Sequence, residues 1–296
     1  MPFKEHLDIK ALSDEERVAF YGALFAVAAA DGQMSREELE LIYETVDTEG
    51  LSEAARRRLY AYAIEPPALR DCLQALRGTP EAVRYGLMLN LVEVAVSDYL
   101  LSEAEQETLT EARMWLGISD EQQAAMKRYA ETVRRIRERG IDDNYAADAI
   151  KAAASGLTAV GVPIVAVVYS GSVAGLSAAG ITSGLAALGL GLGMVPGIGV
   201  AILIGTVAFV GLNYLFDTGS KRKKEQYRRE RERKAQLAMK NLQETINLLV
   251  ERMSWLEEDA ADAKANKEAI QLLNERLTKL KQVLAHRREA TIAQGA

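Results

Sequence analysis

From residue 14 to residue 140 apolar side chains recur three and four positions apart, the period of a helix with one buried face. No comparable run alternates with period two, so strands are not expected. The pattern predicts helices over 14–30, 36–48, 52–64, 67–77, 81–99, 103–116 and 120–139. Several starts carry a Ser followed three positions later by Glu or Gln: Ser13 with Glu16, Ser35 with Glu38, Ser102 with Glu105, and Ser119 with Gln122. This is the capping-box spacing, in which the hydroxyl and the longer side chain satisfy amides that the first helical turn leaves without partners. The fold class is all-α, beginning with an N-terminal helical bundle over residues 1–140.

Two other patterns follow. Between Lys151 and Asp217 no Asp, Glu, Lys or Arg occurs, and the stretch is rich in glycine. From Ser220 to Gln294 there is neither Gly nor Pro, and apolar or small residues fall at 235, 239, 242, 246, 249, 253, 256, 260 and 263 in steps of four and three. That is a heptad seam. It weakens over 257–269 and resumes at Ile270, Leu273, Leu277, Leu280 and Leu284. A straight rod of ~110 Å and a bend between two antiparallel helices both fit; the bend is favoured. The expected organisation is therefore a helical domain (1–140), glycine-rich hydrophobic helices (141–217), and a coiled-coil tail with a basic start (218–296) that multimerises the chain.

Charge is divided in the same way. Residues 1–150 hold 29 acidic against 17 basic side chains, and residues 217–296 hold 13 against 18. The uncharged 65 residues between them could supply two passes of ~20 residues across a bilayer. Basic residues flank both sides, from Arg134 to Lys151 and again over 221–234, which places both flanks on the cytoplasmic side and favours a hairpin turning near 189–199. Glycines four apart (Gly171, Gly175, Gly180, Gly184, Gly189, Gly193 and Gly197) would give flat faces for close helix packing and self-association. Lys221, Arg222, Lys223, Lys224, Arg228 and Arg229 would meet anionic lipid headgroups. The competing expectation is a hairpin buried inside a soluble bundle.

The sequence offers no catalytic constellation, and the chain is not expected to be an enzyme. His6 and His286 are its only histidines, too few for a Ser-His-Asp arrangement or a histidine metal site. The single Cys72 excludes an internal disulfide. The glycine-rich GLGLGMVPGIG (189–199) lacks the lysine of a phosphate loop. Nucleic acid is not an expected partner, because Tyr227 alone interrupts the basic run with an aromatic.

One internal relation carries more. AADGQMSREELEL (29–41) matches VSDYLLSEAEQETL (96–109) at an offset of 67, aligning Asp31, Ser35 and Glu38 with Asp98, Ser102 and Glu105. With the following Leu116–Ser119, this region resembles the TerB-like family of tellurite-resistance-associated helical domains over roughly residues 12–135. Tyr99 stands where the first motif has Gly32. The resemblance implies that Asp31, Glu38, Asp98 and Glu105 form an acidic patch for a divalent cation, Ca²⁺ or Mn²⁺; capping alone is the stronger local reading of the two Glu residues. It also implies a membrane-associated role in envelope stress or phage defence, at a bacterial inner membrane with both terminal regions cytoplasmic and with protein partners for the acidic domain. The glycine-rich stretch is weakly similar to interferon-induced ISG12-like membrane proteins and colicin-type hairpins, which leaves a membrane-disrupting, pore-forming effector as the alternative.

Overall fold

The computed structural model describes residues 9–98, 101–139, 144–163, 221–258 and 263–295. Every regular element among them is helical: a 3₁₀ turn at Ile9–Ala11, then α1 (Asp14–Ala28), α2 (Arg36–Thr45), α3 (Glu53–Ala61), α4 (Leu69–Ala75), α5 (Glu81–Ala95), α6 (Glu103–Leu116), α7 (Asp120–Arg139), α8 (Asn144–Ala159), α9 (Lys221–Glu258) and α10 (Ala263–Gly295). The glycine face from Gly171 to Gly197 lies outside the described residues.

The two central helices are α1 and α5, the first of each repeated unit. Both are apolar nearly all round, and Val18–Phe25 and Leu87–Ala95 are buried throughout. They pack on one another, and α2, α3, α4 and α6 lie against α1 while α6 and α7 lie against α5. The approach of α4 to α1 is close. A Cβ built on Gly22 would stand 2.9 Å from the Tyr62 ring and 3.1 Å from both Cys72 Sγ and Pro67 Cγ, so only glycine fits there. Burial also pushes the Cys72 thiol up to about 12 and keeps it protonated. Gly117 (φ +69) closes α6, with the Ile118 amide donating back to the Arg113 carbonyl at 3.0 Å.

The four Ser-x-x-Glu/Gln starts are all reciprocal capping boxes. At α7, for example, Ser119 N donates to Gln122 Oε1 at 2.9 Å and Gln122 N to Ser119 Oγ at 3.1 Å.

The tail is no straight rod. α9 ends at Glu258 and α10 begins at Ala263, within the weak stretch of the heptad seam, and the two helices fold back on each other. The two helices, about 57 Å and 50 Å long at 1.5 Å per residue, pack on each other and both lie on α2, with α9 also on α3. The seam residues Leu242, Ile246, Leu249, Leu273, Leu277, Leu280 and Leu284 are buried in the same core as α1 and α5. Within one chain, therefore, the seam already has its partner.

Candidate functional site

Two capping boxes bury their glutamates. Ser35 Oγ accepts from Glu38 N (3.1 Å) while Ser35 N donates to Glu38 Oε2 (2.7 Å). At the equivalent place in the second unit, Ser102 Oγ accepts from Glu105 N (3.2 Å) and Ser102 N donates to Glu105 Oε2 (2.7 Å). Ordinary capping glutamates lie at the surface. Here Glu38 and Glu105 are 2% and 3% exposed, and the charge of Glu105 acts on the Glu38 carboxyl. Glu38 Oε1 is enclosed, with no hydrogen-bond partner among the described residues.

Burial raises the Glu38 carboxyl; the Ser35 hydrogen bonds offset part of the rise, and the charge and hydrogen bond of Glu105 add to it. The outcome is a Glu38 group lifted from its ordinary 4.5 to about 8.

The other two members of the expected patch sit in the turns that precede the two helix starts. Asp31 is exposed, and its Oδ1 accepts from the Gln33 amide at 2.9 Å in the turn that Gly32 (φ +88) makes possible. Asp98 is half-buried in the turn that follows α5. Among the described residues no three acidic, His or Cys side chains gather as metal ligands. The buried pair alone falls short of the six to eight oxygens that Ca²⁺ takes.

At the other end of α2 lies a polar seat for the tail. Asn241 of α9 is fully buried; its Oδ1 accepts from Thr48 Oγ1 (2.9 Å) and the Tyr60 hydroxyl (3.1 Å), and its Nδ2 donates to the Val46 carbonyl (3.3 Å). One turn on, Thr245 Oγ1 accepts from the Tyr43 hydroxyl at 2.8 Å and donates to the Asn241 carbonyl at 2.9 Å. Burial raises the Tyr43 phenol, which stays a donor. The α2–α3 loop that offers Val46 and Thr48 is itself tied down. Arg17, buried in α1, donates through Nη2 to the Asp47 and Glu49 carbonyls (2.6 and 2.9 Å), and the Asp47 amide donates to the Tyr21 hydroxyl.

Charges close the rim with one prevailing sign on each side. From α9, Arg233 reaches Glu49 (2.8 Å) and Asp47 (3.3 Å). From α10, Arg287 pairs with Glu44 and Glu40, His286 meets Glu40 at 3.1 Å, Lys279 donates to the Met34 carbonyl at 2.6 Å, and Arg276 donates to the Ala63 and Ile64 carbonyls. Arg57–Glu251 is the reversed case, an exposed pair at 3.7 Å.

The heptad reading pointed to the apolar side of this seat and missed Asn241 and Thr245. The available signal was a short amide and a short hydroxyl one turn apart beside Leu242 and Ile246, where an all-apolar seam has no use for them. Lys221, Arg222, Lys223, Lys224, Arg228 and Arg229 fall in the first turns of α9, and their side chains lie outside the described set.

The architecture defines a class: an all-α bundle built on a repeated helix pair, closed by a helical hairpin. Residues 3–61, from the N-terminal stretch through α3, match the family model described as "Tellurite resistance protein TerB". That supports a TerB-like N-terminal domain and covers the first repeated unit; the second unit and the tail lie beyond the match. No curated protein and no solved structure matches the chain. The likeness of the glycine-rich stretch to ISG12-like or colicin-type segments thus gains no support.

Proposed function

We propose that this chain is a stress- or defence-linked interaction protein, not an enzyme, in which a TerB-like acidic module clasped by its own tail is held at a membrane by the uncharged segment. What carries the reading is where the described ends of that segment lie. Upstream, α8 packs on α7, with Leu157 and Val162 buried and Gln122 Nε2 donating to the Val160 carbonyl at 3.1 Å. Downstream, α9 is fixed by Arg233 and Asn241 to the α2–α3 loop. Both ends return to one helical body. An uncharged stretch whose described neighbours on both sides belong to one body fits an even number of passes, with both flanks on one face of the bilayer.

No helix among the described residues is long and apolar enough to cross a membrane, which leaves residues 164–220 to supply the anchor. The tellurite-resistance name of the matching family supports the stress-linked side of the reading. The test is fractionation of the full chain. It is expected to sediment with membranes, to resist an alkaline carbonate wash, and to become extractable when residues 172–216 are replaced by a polar linker of equal length. Recovery of the unaltered chain as a lipid-free soluble monomer would refute the proposal.

A further inference from the structure

The contacts that seat the tail join two parts of the chain that lie far apart in sequence. Between Pro163, which follows α8, and Lys221, the first residue of α9, come 57 residues. Wholly helical, a connection of that length would still reach about 85 Å. The longest helix of the preceding bundle, α7 with 20 residues, measures about 30 Å. Length alone therefore does not decide which copy's tail fills a given seat.

The seat recognises the tail by chemistry that every copy carries. On the module side stand Glu40, Glu44, Asp47 and Glu49, and Arg233, His286 and Arg287 answer them from the tail. The wider charge agrees: residues 1–150 hold 29 acidic against 17 basic side chains, and residues 217–296 hold 13 against 18. Inside this rim the partners are polar as well. Asn241 accepts from Thr48 and Tyr60 and donates to the Val46 carbonyl, and Thr245 accepts from Tyr43. Such groups fit one alignment of the hairpin, because a slip by one turn leaves each of them buried without its partner. They also hydrate readily when the tail lifts, which an all-apolar face does not. The seat is thus selective in register and tolerant of exposure, the two properties an exchanged element needs.

We propose that the α2–α3 face is a docking surface for the α9–α10 hairpin of a second copy of this chain, so that two chains close each other by exchanging tails. The exchanged pair keeps every contact between tail and module that the closed monomer makes. The balance between the two forms is set by chain concentration against the effective concentration that the connection gives a chain's own tail. Crowding of copies favours exchange, and dilution favours the closed monomer. The exchange does not depend on whether the uncharged segment meets lipid.

The experiment uses two full-length chains with different affinity tags, Glu40→Cys in one and His286→Cys in the other, co-expressed and treated with a short bismaleimide. Glu40 and His286 meet at 3.1 Å in the seat, and neither variant holds both new thiols, so a product that joins them comes from two chains. Cys72 is buried and its thiol is kept protonated, which holds it out of the reaction. Arg57→Cys with Glu251→Cys, an exposed pair at 3.7 Å, repeats the test between α3 and α9 with substitutions that disturb no buried group. The expected result is a two-chain product carrying both tags, absent from either variant alone, whose fraction rises with chain concentration. Asn241→Ala added to the His286→Cys chain unseats its tail and lowers that fraction severalfold. Absence of the product from both pairs means that each tail seats only on its own module and overturns the proposal. A yield that Asn241→Ala leaves unchanged also overturns it, since collision of neighbouring chains then accounts for the product.

Discussion

Replacing Asn241 by alanine tests how the tail is held. The side chain has no solvent exposure, and its removal strips a partner from three groups at once: the Thr48 hydroxyl, the Tyr60 hydroxyl and the Val46 carbonyl. A buried polar group left without a partner costs ~1–3 kcal/mol. Thr48 is 4% exposed and can recover little. Tyr60, at 9%, can turn toward water. Summed with that allowance, the substitution destabilises by about 3–5 kcal/mol, a large part of the ~5–15 kcal/mol that holds a typical domain. Urea unfolding of the full chain, followed by far-ultraviolet circular dichroism, measures this directly. Asn241→Asp sharpens the test, because it keeps the acceptor for Thr48 and Tyr60, loses the donor to Val46 and adds a buried charge at neutral pH. It should be at least as harmful as alanine at pH 7 and recover toward pH 4. A loss below about 1 kcal/mol for Asn241→Ala would mean that the amide is not buried against α2 and α3, and the docked hairpin would be wrong.

The remaining predictions bear on the bundle. Gly22→Ala gains up to ~1 kcal/mol of helix propensity but drives a methyl group into Tyr62, Cys72 and Pro67, so a net loss of about 1–3 kcal/mol is expected in thermal unfolding; a stabilised variant would contradict the close contact of α1 and α4. Ser35→Ala and Ser102→Ala each remove one cap, at a cost of about 1 kcal/mol, and each should also alter the titration of Glu38 by freeing a capping glutamate from its place. Ser13→Ala, at an exposed box, should cost a similar amount and leave that titration alone, which separates a capping effect from an effect on the acid pair.

Much of the bundle was legible because its signals are local. The capping boxes at Ser13, Ser35, Ser102 and Ser119 are completed within three residues, so sequence spacing alone located the starts of α1, α2, α6 and α7. Helix ends were read two to four residues too long at α1, α2, α3 and α5, where no glycine marks the last turn. At α6, where Gly117 does, the predicted end at Leu116 holds. The offset of 67 that relates Asp31–Glu38 to Asp98–Glu105 was visible, but not that the two glutamates turn inward while Asp31 stays in water. That depends on how α1 and α5 pack, which no spacing encodes. The tail shows the same limit. A heptad seam states that a helix face will be covered and leaves open by what; here α9 and α10 cover each other, α2 and α3. Only the density of basic residues in α10 opposite Glu40 and Glu44 hinted at that seat, across more than 240 positions of sequence.

The claim on which the account turns is that the hairpin docks on the TerB-like module of its own chain, so that the uncharged segment begins and ends on a single body. Native-state hydrogen exchange of the full chain at concentrations where it is monomeric tests this most directly. Amides of residues 238–249 in α9 should exchange in the same slow class as those of 39–46 in α2, and Asn241→Ala should release the α9 set. Fast exchange of 238–249, at the rate of a solvated helix, beside a protected α2 would show the tail standing free and would contradict the account.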